Sequence, residues 1–259
     1  MVGVKRDHQG NKKEEKSKEI ARNAYTSIFE GFRDELDEHH DRRQRIGKVS
    51  RDVTALSKKI IFALQRVRKL NQPVPERLAA EIQGRVKEIK ELLNTIEADV
   101  QGINRYRYPL ICLEEFVEAV SFMHYLQHQT LITPAQSEDE LKVNIPFTHA
   151  DYVYGIFDLT GEMMRFAISV TALTGSMPGD SKGRTILTDL QEVSSMLQIL
   201  PPLSSKNWSK KVDVMVEQVK KVERVGYGVT VRGNERPKGW MPDMNEAVGG
   251  REEHEESAD

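Results

Sequence analysis

The strongest constraint on this chain is a run of apolar residues at three- and four-residue spacing: Ile46, Val49, Val53, Leu56, Ile60, Ala63, Val67 and Leu70. On an α-helix that spacing gathers all of these side chains into one stripe, whereas the alternation of a strand would scatter them over both faces. Ile28, Phe32 and Leu36 extend the pattern upstream, so residues 22–71 predict one long helix or two in series, ended by Gln72-Pro73-Val74-Pro75. The same period recurs along the chain. Leu78, Ile82, Val86, Ile89, Leu93, Ile96 and Val100 predict a helix over 76–101, and Pro109 fits the first turn of another that reaches about Gln129. Thr133-Pro134 looks like the cap and first residue of a short helix. Thr148 is expected to cap a long one over 149–174, closed by Gly175. Residues 185–199 form a further amphipathic segment before Pro201-Pro202. A last helix over 205–232 carries Val212, Met215, Val219, Val222, Val225 and Val229.

No strand-and-turn pattern interrupts this series. The expected fold is all-α, a bundle of about seven helices forming one domain over residues 22–232. The charged segment 1–21 is expected to be disordered, and the Gly-, Pro- and acid-rich segment 233–259 to be a flexible tail. With a net charge of −2, any attraction to nucleic acid must come from a local basic face. The single Cys112 excludes an internal disulfide framework and a cysteine-based zinc site. Neither a membrane-length apolar run nor the apolar block of a secretory signal is found, so an intracellular, soluble protein is expected.

Two pairs of acids stand out because they lie inside apolar helical segments. Glu115 and Glu118 are three apart in LEEFVEAVSFMHYL, and Asp158 and Glu162 are four apart in YGIFDLTGEMMRFAI. Each spacing puts both members of a pair on one helix face. Like charges against apolar neighbours need protonation, a basic partner or a bound cation, and four carboxylates on two segments fit a hard divalent metal such as Mg²⁺. Ordinary alternatives remain at this point. Glu162 with Arg165 fits an i,i+3 salt bridge, Asp158 can face solvent, and Glu115 and Glu118 can pair with Arg or Lys across an interface. Neither segment carries Glu-x-x-His, which disfavours a carboxylate-bridged iron centre, and phosphate-loop, nucleophile-elbow and His-Glu-x-x-His motifs are missing. The histidines (His39, His40, His124, His149 and His254) carry no ligand pattern.

Four blocks of the sequence resemble the translin-associated factor X (TRAX) branch of the translin family: His40 to Arg66, EFVEAVSF from Glu115, DYVYGIFDLTGEMMR from Asp151, and KVERVGYGVTVRG from Lys221. They keep their order and span about 28–236. The resemblance implies an all-α fold and a hetero-oligomeric shell built with translin, an octamer in the family. It also implies Mg²⁺-dependent endoribonuclease activity on single-stranded RNA, with Mn²⁺ an alternative metal and single-stranded DNA an alternative ligand. Expected roles are clearing passenger-strand fragments in RNA silencing and degrading transfer-RNA processing fragments, in the cytoplasm and nucleus. Carried over by motif, the catalytic and metal-binding acids are Glu115, Glu118, Asp158 and Glu162. Glu114 departs from the family pattern by adding a neighbouring acid, and the 133–148 and 200–210 stretches also diverge. The alternative function is a non-catalytic subunit that stabilises and localises translin.

An RNA backbone needs counter-charge. Lys48, Arg51, Lys59 and Arg66 lie opposite the apolar stripe of the first helix, with Lys58 nearby, where a solvated helix face is the ordinary explanation. By resemblance Lys58 and Lys59, with Arg51, are the expected RNA contacts. Recognition is expected to be independent of base sequence, since no aromatic–basic interleaving is evident.

Overall fold

The computed structural model describes residues 23–202 and 206–232, so the expectations for 1–21 and 233–259 and the His254 reading fall outside the described residues. Eight α-helices are present among them: α1 (Thr26–Leu64), α2 (Glu76–Asn94), α3 (Asn104–Arg107), α4 (Cys112–His128), α5 (Pro134–Leu141), α6 (His149–Thr174), α7 (Ile186–Ile199) and α8 (Lys206–Arg232). A 3-10 turn covers Glu97–Val100, and none of the described residues forms a strand longer than a single bridge between Gly179 and Thr185. The fold is all-α. No helix among the described residues is long and apolar enough to cross a membrane.

The chain divides into two compact units at Arg43 and Gln44. In the first, the described residues up to Arg43 include exposed Tyr25 just before α1 and exposed Ile28, Phe29, Phe32 and Leu36 on it. In the second, the stripe Ile46, Val49, Val53, Leu56, Ile60 and Leu64 of α1 is buried in one core with Ile82, Ile89 and Leu93 of α2 and with the apolar faces of α4, α6, α7 and α8.

The sequence pattern overruns two helix ends. α1 stops at Leu64, well short of the expected residue 71, although Leu70 and Val74 are still buried. They are buried from a loop: Asn71 adopts a left-handed φ of 57° and donates its N–H to Leu126 O at 2.9 Å. α2 stops at Asn94, yet Ile96 and Val100 remain in the core through the 3-10 turn that follows. Apolar periodicity reports burial, and burial outlasts the helix in both places.

Three helix ends are set by residues the sequence marked. Thr133 accepts from Gln136 N–H and Thr148 from Asp151 N–H, and each forms a reciprocal capping box. Gly175 closes α6 at φ 71°. Asp151 does double duty, because its carboxylate caps α6 and also pairs with the buried Arg105.

Tight contact between α4 and α6 positions everything that follows. A Cβ on Gly155 of α6 would lie 2.6 Å from Val117 Cγ1 and 2.8 Å from Glu114 O of α4, so only glycine permits the observed approach. Six residues on, Gly161 leaves room for Gln218 of α8, whose Nε2 would lie 3.0 Å from such an added carbon.

Candidate active site

With α4 and α6 this close, their acid-bearing faces meet beside α1. Glu115 and Glu118 of α4 and Asp158 and Glu162 of α6 line one open cleft of about 520 Å³, together with Lys58, Ile61 and Phe62 of α1, Gln65 just past its end, Arg165 of α6 and Gln218 of α8. The four acids drawn from sequence are therefore brought together.

Their surroundings differ. Lys58 Nζ lies 3.3 Å from Glu115 Oε1, and Lys211 Nζ of α8 grips both oxygens of Asp158 at 2.6 and 2.7 Å. Glu162 is buried; it accepts from Gln65 Nε2 at 2.8 Å, and Arg165 approaches it at 3.6 Å. The i,i+3 pairing of Glu162 with Arg165 and the pairing of Glu115 with a lysine are thus both present, and the lysine belongs to the same chain. Glu118 is different again. It is only 9% exposed and has no hydrogen bond or ion pair among the described residues. Burial pushes its carboxyl up to about 8, and the neighbouring Asp158, Glu115 and Glu162 charges push the same way against the weaker pull of Lys211. Three further carboxylates are therefore close enough to be felt by one that has no partner.

Glu114 does not line this cleft. Burial, opposed by Lys211 and aided by Asp158, Asp151 and Glu115, raises its carboxyl to about 7.

As they stand, no three carboxylates among the described residues converge closely enough to grip one ion. Two of the four are turned onto ammonium groups. In kind, the donors suit a hard divalent cation: all are oxygens, and an unpartnered buried carboxyl is left among them.

The basic residues expected to meet RNA separate. Lys58 is at the cleft, whereas Arg51 and Lys59 are exposed on α1 outside its lining, with the Lys59 carbonyl accepting from Arg85 Nη1 at 2.9 Å. Sequence reading missed Gln65, Lys211 and Gln218. Lys211 and Gln218 sit among charged and polar residues of α8 with nothing local to mark them, and only the packing of α8 on α6 brings them to the acids. Phe62 was missed for another reason. It lies four residues from Lys58 on α1 and four from Arg66 just beyond the helix end, so an aromatic does stand between basic residues, at four-residue spacing. His124, expected to be isolated, lies beside His128 with ring centroids 4.7 Å apart, and burial lowers its pKa.

Comparison with known proteins agrees with this arrangement of helices. The family model described as "Translin family" matches residues 41–233. Translin-associated protein X of Rattus norvegicus is 28% identical over 243 residues, covering 83% of this chain and 82% of that protein. The Translin-associated protein X homolog of Schizosaccharomyces pombe is 30% identical over 214 residues, 79% of this chain and 87% of that one. Translin of Homo sapiens is 28% identical over 220 residues, 80% and 93% respectively. Among solved structures, AfC3PO superposes with a TM-score of 0.57 at 20% identity, covering 79% of this chain and 97% of that chain, and apo-NeC3PO with 0.53 at 20%, covering 76% and 94%. These two likenesses concern the fold alone. Since the family model takes in most of the chain, from the middle of α1 to the end of α8, this chain belongs to the translin family.

Proposed function

We propose that this chain is the catalytic subunit of a complex with translin, and that it cleaves single-stranded RNA endonucleolytically with Mg²⁺. One observation carries the reading: four carboxylates from two helices line one open cleft, and the buried Glu118 among them has no partner. A side chain in that position is costly to the fold, and a use for it is the simplest reason to keep it. The translin partnership is supported by the relatives named as translin-associated.

In this reading Glu115, Glu118, Asp158 and Glu162 hold the ion, for which Mn²⁺ is a substitute. Bound there, the metal would stabilise charge growing on the attacked phosphate and lower the pKa of a coordinated water. The protein's own groups do the rest. Glu118 would be held as the carboxylate by a cation that supplies the missing counter-charge. Lys58 and Lys211, if released from Glu115 and Asp158, would be donors for phosphate oxygens. Gln65 holds Glu162 in place, leaving that carboxylate as either a further ligand or the base that orients water. Lys59 and Arg51, outside the cleft, serve to attract the RNA backbone. Substrates of the family type, silencing or transfer-RNA fragments in the cytoplasm or nucleus, are part of the proposal, as are an octameric shell and single-stranded DNA as a second ligand.

The test is cleavage of a labelled single-stranded RNA by the chain co-purified with translin, in Mg²⁺ and in chelator, with Glu118→Ala and Asp158→Ala alongside. Metal-dependent cutting that falls at least about 100-fold in both assembled variants is expected. An intact, RNA-bound complex that does not cut would leave the partner-stabilising role. That second reading draws on the exposed Tyr25, Ile28, Phe29, Phe32 and Leu36.

A further inference from the structure

One side chain of the cleft serves neither the core nor the carboxylates. Phe62 lines the cleft next to Ile61, yet it is 66% exposed, whereas Ile61 is buried. Around it stand cations. Lys58 lies one turn back on α1 and Arg66 four residues on, just past the helix end, with its guanidinium over the ring at 6.0 Å from the centroid. Arg165, exposed on α6, lines the same cleft. An exposed ring with one cation over it, in a cleft that also holds Lys58, Arg165 and acids suited to a phosphate-bound cation, matches a flat ring carried on a negatively charged backbone. A partner protein's apolar helix fits less well, because seating it on Phe62 would also desolvate Lys58, Arg165 and the carboxylates below.

We propose that Phe62, with Arg66 over one side of its ring, is a base-stacking platform: it holds an unpaired nucleobase on the other side while the adjoining phosphate is presented to the carboxylates. The proposal rests on the single-stranded RNA reading above and adds the residue that positions the strand. Stacking tolerates any base, since every base has a π-face, but it requires that a base be present. The cleft should therefore be indifferent to sequence and sensitive to abasic sites.

The experiment measures binding in chelator, so it does not depend on cleavage. The full chain co-expressed with translin is titrated with a short oligoadenylate RNA and with the same oligomer carrying abasic sites. Wild type is expected to prefer the base-bearing strand by about tenfold. Phe62→Ala should remove most of that preference, and Phe62→Trp should keep it, with indole fluorescence quenched by the oligoadenylate and not by the abasic strand. The proposal is overturned if Phe62→Ala keeps the preference, if wild type binds both strands equally, or if Phe62→Ala breaks the complex on a sizing column, which would make the ring a subunit contact. Failure of wild type to cut RNA in Mg²⁺ would count against the nuclease reading alone.

Discussion

Buried carboxylates occur in two kinds of place in this molecule, and the fold treats them in opposite ways. Asp151 is buried against Arg105, caps α6 through Thr148, and has its charge answered on every side; Arg105 also donates to Pro146 O at 2.9 Å. Asp189 is similar: it accepts from Tyr125 Oη at 2.6 Å and Gln129 Nε2 at 2.9 Å and pairs with Arg184. In the cleft between α1, α4 and α6, by contrast, Glu118 is buried without a hydrogen bond or ion pair among the described residues, and the lysines nearby hold its neighbours Glu115 and Asp158 instead. A structural carboxylate is satisfied by rigid donors fixed in the fold. One kept for a ligand is left with its charge unmatched, and the fold bears the strain.

The sharpest way to break the contrast is to remove a partner from the first kind. Arg105→Ala strands Asp151 in the core and weakens the start of α6, so it should destabilise the chain by about 3–5 kcal/mol. Urea or thermal unfolding measures it. Removing Lys211 from Asp158, which is partly open to solvent, should do far less. Equal losses in the two variants would mean that the cleft acids are structural as well.

Geometry between α4 and α6 comes next. Gly155→Ala inserts a carbon 2.6 Å from Val117 Cγ1 and 2.8 Å from the Glu114 carbonyl, and the backbone atom has nowhere to go. The helices must part, at a cost of about 1–3 kcal/mol. Because Glu115 and Glu118 then move away from Asp158 and Glu162, RNA cleavage by the assembled complex should fall by more than the stability loss explains. Activity that tracks stability alone would show that the spacing of the two acid pairs is not critical.

These two sites also mark how much was legible in the sequence. The helices were readable because apolar spacing, Thr133, Thr148 and Gly175 are local signals. The four acids were readable because each pair breaks an apolar run. That the pairs meet was not readable, since it depends on Gly155 and Val117 nesting across two helices 38 residues apart. Lys211 and Gln218 were invisible for the same reason: a lysine or glutamine in a charged helix looks solvated until the packing of α8 on α6 is known. The end of α1 was misplaced because Leu70 and Val74 are buried from a loop, which leaves the same apolar trace as a helix. Phe62 was hidden because its basic neighbours Lys58 and Arg66 stand four residues away on either side, not beside it in sequence.

The finest test of the contrast is the pH dependence of stability. Glu118 has its carboxyl raised from 4.5 to about 8 in the folded chain. Between those values the folded state holds a proton that the unfolded state has released, so stability falls as pH rises through this window and levels off above pH 8. Glu118→Gln removes that term. In chelator the variant should match wild type near pH 5 and become more stable as pH rises, by on the order of 1–2 kcal/mol at pH 8–9, allowing for the openness of the cleft. Glu114, raised to about 7, tilts both proteins the same way and cancels in the difference. Asp151 makes the contrast: Asp151→Asn should lose stability, because its arginine is then stranded. If Glu118→Gln is less stable than wild type at pH 8, the carboxylate has a partner after all and the distinction between the two kinds of acid fails. If it is more stable, the cleft keeps a charge that the fold alone would be better without, and adding Mg²⁺ should narrow the gap by stabilising wild type selectively.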